Sequence, residues 1–122
     1  MTKKIRNVAV LFLGAAMLCA CAPQTRFEWG AYEPSLYAYY KNPAEKAQYE
    51  VALVKAIDMG KKTNKVAPGL NAELGYMYLE DGNFGAAQAR FDEEMRLFPE
   101  SRPFLTGVSR RMTPAVGKGA TS

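Results

Sequence analysis

The sequence predicts an all-α fold, and three stretches carry that prediction. Between Pro68 and Ser101, two apolar runs of helical period flank the turn signal Asp81-Gly82-Asn83. From Asn42 the chain reads Asn-Pro-Ala-Glu, with Asn as N-cap, Pro at the first helical position and Glu at the third. After Arg102, Phe104, Leu105, Val108 and Met112 recur at helical spacing. These pieces give a helical hairpin with flanking helices, spanning residues 27–112, behind a leader at 1–20 and a tether at 21–26.

The leader is an address and not part of the fold. Lys3, Lys4 and Arg6 form a basic start, and Val8 to Leu18 form an apolar run. That run has the length of a secretory signal core and is too short to cross a bilayer as a helix. It closes on Leu18-Cys19-Ala20-Cys21, which resembles the lipobox of bacterial lipoproteins. The resemblance implies cleavage before Cys21 and acylation of its sulfur and its new amino group. Cys19 fits less well, because Leu18 would then occupy the position that needs a small residue. Several acyl chains, each buried CH₂ contributing ~0.8 kcal/mol, make a durable anchor without a spanning helix. Ala22, where an Asp would retain such a lipoprotein in the inner membrane, implies the outer membrane, facing the periplasm.

Removal of the leader changes the charge argument. The full chain carries 16 basic and 12 acidic residues. Three basic residues leave with the leader, so the mature chain is close to neutral and offers no basic tract for nucleic acid. One cysteine is discarded and the other lipidated, which leaves none for a disulfide. Histidine is absent, removing the commonest general base and metal ligand. No cofactor motif or metal-spaced cluster is present, and the carboxylate runs Glu80-Asp81 and Asp92-Glu93-Glu94 diverge by about 100° per residue on a helix. The expectation is a solvated face, with Asp92 and Arg96 as an i,i+4 pair, and no enzyme.

In order along the mature chain, residues 27–33 read as an extended aromatic segment, punctuated by Pro23, Gly30 and Pro34. Phe27, Trp29, Tyr32, Tyr37, Tyr39 and Tyr40 are either cover for the core or a docking surface, with headgroup contact beside the anchor a third reading. A short helix is expected over 35–41. A longer one follows Asn42 and runs to about Met59, stopped by Gly60. Tyr49, Leu53, Ala56 and Ile57 form its main stripe, and Ala47, Val51 and Val54 a weaker one on nearly the opposite side. The loop Lys61 to Lys65 is polar, its positive charge complementing the helix C-terminus. Residues 113–122, with Pro114, two Gly and small polar residues, read as a disordered tail.

The stretch 68–101 resembles a tetratricopeptide (TPR) unit. Leu74-Gly75 stands before Tyr78, Ala87 stands four before Phe91, and Pro99 closes the unit, while Asn71 takes the slot usually held by Trp. Helices over 69–80 and 84–98 are expected, with Leu74, Met77 and Tyr78 facing Phe84, Ala87, Phe91, Met95 and Phe98. The resemblance implies that Ala72, Tyr76 and Leu79 line a concave groove, apolar because a Lys/Asn carboxylate clamp is lacking. Glu94 stands where a small residue normally packs on the next unit, which argues against regular docking of a further repeat.

Phe27-Glu-Trp-Gly-Ala-Tyr-Glu33, Pro68-Gly69 with Leu74-Gly75, and Phe91-x-x-Glu94-x-x-Leu97-Phe98-Pro99-Glu100-Ser101 together resemble a family of short Gram-negative lipoproteins catalogued as a domain of unknown function. The resemblance covers about 27–105. It implies a TPR-like hairpin and a gene neighbourhood shared with a lipoprotein resembling the curli secretion channel. The resulting expectation is a membrane-tethered assembly subunit, binding another outer-membrane lipoprotein through Trp29, Tyr32 and the Ala72, Tyr76 and Leu79 groove. The alternative is a regulator of a periplasmic cell-wall enzyme, disfavoured by a five-residue tether spanning under ~18 Å.

Overall fold

Five α-helices follow one another in the computed structural model, which describes residues 25–118, with backbone alone for 113–118. They are α1 (Tyr32–Lys41), α2 (Lys46–Thr63), α3 (Leu70–Glu80), α4 (Phe84–Leu97) and α5 (Arg102–Lys118). Short 3₁₀ turns at Pro43–Glu45 and Pro99–Ser101 lead into α2 and α5. Among the described residues there is no strand, only an isolated parallel bridge between Glu28 and Val66. The all-α expectation holds. The leader, Cys21 and the last four residues lie outside the described residues.

Each start has a local cause. The Asn42 side chain accepts from the amide of Ala44, and Asn83 accepts from Ala86 at the head of α4, both at 3.2 Å. Pro34 lies in the first turn of α1, where its missing N–H is no loss. That helix begins three residues earlier than the sequence suggests, because Trp29 O accepts from Tyr32 N at 3.0 Å and starts the turn. The extended segment therefore ends before Tyr32.

Gly60 does not stop α2. The helix continues to Thr63 and ends at Asn64, which adopts the left-handed conformation with φ 56°. Gly60 instead makes room for the returning chain: a Cβ there would stand 2.7 Å from Val66 Cα. Gly75 has a similar duty on α3, where a Cβ would meet the Phe91 ring at 2.6 Å.

Two apolar clusters hold the helices. The first joins Tyr49, Leu53, Ala56 and Ile57 of α2 to Ala67, Leu70, Leu74 and Met77, with Leu36 and Tyr39 of α1 against them. The second joins Ala87 and Phe91 of α4 to Leu105, Val108 and Met112 of α5. Fully burying one such large side chain contributes about 1.5–3 kcal/mol. Tyr78 borders both clusters. Leu74 and Met77 thus face α2, not α4 as the hairpin pattern suggests. The α3–α4 contact runs instead through Gly75 and Tyr76 against Phe91.

Glu94 is the sharpest departure from the sequence reading. It is 2% exposed and belongs to the interior of the hairpin. Its Oε1 accepts from the amide of Gly69 at 2.7 Å, at the head of α3. Gly69 has no side chain with which to cap that helix, so a carboxylate from α4 supplies the acceptor. Burial nevertheless raises the Glu94 pKa above the usual carboxylate value. Finally, α5 runs to Lys118, past the Met112 at which the sequence reading ends it.

Candidate functional site

The face at the front of the chain is built on a column of rings. Phe27, Trp29, Tyr32, Tyr49 and Tyr39 follow one another with centroids 6.5, 5.6, 6.1 and 5.4 Å apart. Tyr49 is 1% exposed and anchors the column in the first cluster. Glu28 N donates to Lys65 O at 2.8 Å, which pins the segment ahead of α1 against the α2–α3 loop. Tyr32 Oη donates to Glu73 Oε2 at 2.8 Å, tying α1 to α3. Burial, then that carboxylate, raises the Tyr32 pKa; burial and the same carboxylate raise that of Tyr49 much further.

The aromatic residues therefore divide. Phe27, Tyr32 and Tyr39 are half-buried against the core, Trp29 is 38% exposed, and Tyr37 and Tyr40 point outward at 63% and 82%. The core reading holds for the half-buried rings; the others are exposed.

Beside the column, α1 and α2 leave an open cleft of about 410 Å³. Ala31 and Ser35 form one wall; Ala47, Val51 and Lys55 form much of the other. Val51 is 52% exposed although the opposite side of the same helix is core. The weaker stripe seen in the sequence is thus split: Ala47 and Val51 line the cleft, while Val54 packs on the first cluster.

The groove residues stand elsewhere. Ala72, Tyr76 and Leu79 are half-buried against the second cluster, with α5 laid over them. An apolar notch of about 290 Å³ remains between Tyr76, Leu79, Phe84 and the α5 residues Val108, Arg111 and Met112. The groove inferred from the repeat pattern is therefore largely filled in cis. Trp29 and Tyr32 share the ring column; they do not meet Ala72, Tyr76 and Leu79 in one site. Sequence reasoning missed Ala31 and Ser35 as cleft walls, and the signal available was their i,i+4 spacing.

Apart from buried Glu94, the acidic runs are engaged in ion pairs and helix-surface bonds. Lys46 Nζ lies 3.6 Å from Glu80 and 2.5 Å from Asp81. Arg96 donates to both oxygens of Glu93, at 2.8 and 2.9 Å, so its partner is not Asp92; that carboxylate accepts from Gln88. The Arg96 guanidinium holds the Glu93 pKa below the usual range. Among the described residues no three His, Cys, Asp or Glu side chains converge on a metal position. No helix among them is long and apolar enough to cross a membrane.

Comparison with curated proteins and with solved structures finds no match. The model of a protein family does match, over residues 27–108, from the first ring of the column to the middle of α5. The chain accordingly belongs to the family described as a domain of unknown function, DUF4810.

Proposed function

We propose that this protein is an outer-membrane lipoprotein facing the periplasm, anchored through Cys21, and that it serves as a non-catalytic assembly subunit of a lipoprotein complex. The observation that carries the reading is the α1–α2 cleft. Scattered exposed apolar residues are ordinary. Here Ala47 and Val51 of α2, whose other side is already core, instead line one concavity with Ala31 across from them. Such a concavity suits an apolar anchor from another protein, rimmed by Ser35 and Lys55. Tyr32, held by Glu73 and packed on the Trp29 ring, ties α1 to α3 and so helps hold the wall that forms the cleft. The notch at Tyr76 and Leu79, with Ala72 behind, offers a second, smaller contact.

The reading of α3 and α4 as a TPR-like hairpin is supported by three features. Gly75 lies under the Phe91 ring, Ala87 is fully buried, and Pro99 follows the end of α4. The lipid anchor is supported by the Leu18-Cys19-Ala20-Cys21 stretch and the basic, apolar leader before it.

The test is purification of the wild-type chain and a Val51→Asp variant from detergent-solubilised outer membranes. The proposal predicts a lipoprotein recovered in comparable amount with wild type and lost from the variant. Recovery of a cell-wall synthase instead, equally with both chains, would refute it.

A further inference from the structure

We infer that the outer side of α1, with Trp29 ahead of it, rests on the phospholipid headgroups of the membrane that holds Cys21. The inference rests on the lipid-anchor reading and adds an orientation to it. Its first support is chain length. Only residues 22–25 separate the acylated residue from Arg26, a reach of no more than ~18 Å. The start of the folded part, and with it the end of the domain that carries α1, is therefore held close to the bilayer.

Its second support is what that surface carries. Leu36 and Tyr39 turn inward to the first cluster, which leaves Tyr37 and Tyr40 outward, three residues apart on one side of α1. Lys41 Nζ stands 5.4 Å from the Tyr37 ring centroid, and Arg26 Cζ stands 5.7 Å from that of Phe27. Aromatic rings with a polar edge, together with long cations, are the residues that settle at the headgroup level. Arg26 and Lys41 are offset by Glu28 and Glu33 in the same stretch, so the contact is aromatic and not a basic patch seeking anionic lipid.

The orientation also leaves the partner cleft free. At about 100° per residue, the Tyr37–Tyr40 side of α1 lies more than a quarter-turn from the Ala31–Ser35 side. One side of the helix meets lipid while another meets protein.

The chain has a single tryptophan, which makes Trp29 its own reporter. The experiment uses the full mature protein with its acyl groups verified by mass. It is reconstituted into phosphatidylethanolamine vesicles containing phosphatidylcholine brominated near the headgroup end of its chains. The expected result is about a twofold fall in Trp29 emission from lipid-borne bromine, with weak quenching by aqueous iodide. The same is expected of a Trp29→Phe, Tyr40→Trp chain, and adding phosphatidylglycerol changes neither result. An acylated protein whose emission ignores the bromine but yields to iodide overturns the inference and leaves the anchor standing. Emission shielded from both quenchers also overturns it, because a second copy or another protein then covers the face. A mature chain without acyl groups refutes the anchor and the orientation together.

Discussion

The two clusters are built by different means. In the first, four helical residues of α2 meet Ala67, Leu70, Leu74 and Met77, and the loop between α2 and α3 passes over Gly60 with backbone against backbone. In the second, one ring, Phe91, fills the space beside Gly75 and carries Leu105, Val108 and Met112 of α5 around it. The first is closed by several side chains and by chain path; the second depends on one large residue. Damage to the second should therefore free α5 while α1 to α3 stay docked, whereas damage to the first should be global.

The heaviest predicted effect lies in the second cluster. Phe91→Ala should cost about 3–5 kcal/mol in denaturant unfolding and expose amides of α5 to hydrogen exchange before those of α2. Simultaneous loss of protection in both helices would erase the distinction between the clusters. Next comes Gly60→Ala. The Val66 backbone cannot yield as a side-chain end can, so a loss of at least ~1–3 kcal/mol is expected, seen as a lower unfolding midpoint. Gly75→Ala should cost less if the Phe91 ring tilts, and a larger loss there than at position 60 would reverse the ranking.

Glu94 joins the hairpin to the loop ahead of it, and Glu94→Ala should cost about 1–3 kcal/mol by leaving the Gly69 amide without its acceptor. Its pH behaviour has a definite sign. The folded chain holds the Glu94 proton more tightly than the unfolded one, whose carboxyl keeps its ordinary value of 4.5. The associated stability is complete below pH 4.5 and is lost as pH rises through the raised folded value. Glu94→Gln should flatten unfolding midpoints across that window, and an unchanged pH profile would remove Glu94 from the account.

Two smaller effects follow. Tyr32→Phe removes the bond to Glu73 and should cost about 1 kcal/mol, read from the denaturation midpoint. Asn71 is fully buried, its Oδ1 accepting from Arg90 at 3.3 Å while its Nδ2 has no partner. Asn71→Leu should stay within about 1 kcal/mol of wild type, because an orphaned buried amide leaves with the bond.

How legible this was in the sequence depended on whether a signal was local. The limits of α3 and α4 were readable because Asp81-Gly82-Asn83 and Pro99 act on their own neighbours. Gly60 was misread because glycine at a helix end and glycine under a crossing chain look alike; only the approach of Val66 separates them. Glu94 was read as a barrier to a further repeat, since a charge in a packing slot normally argues for exclusion. Nothing local reveals that Gly69, 25 residues earlier, lacks a cap. The groove at Ala72, Tyr76 and Leu79 was drawn open because the apolar spacing of 104–112 does not say where that helix lies. The cleft was half legible, through the Ala47 and Val51 stripe, but its other wall required the position of α1.

The claim on which the functional reading turns is that the α1–α2 cleft receives a partner protein. A photo-crosslinking residue placed at Val51, and separately at exposed Asp92 on α4, would test it in intact outer membranes. The account predicts one discrete lipoprotein adduct from position 51 and none from position 92. Equal labelling from both positions, or an adduct from 92 alone, would contradict it.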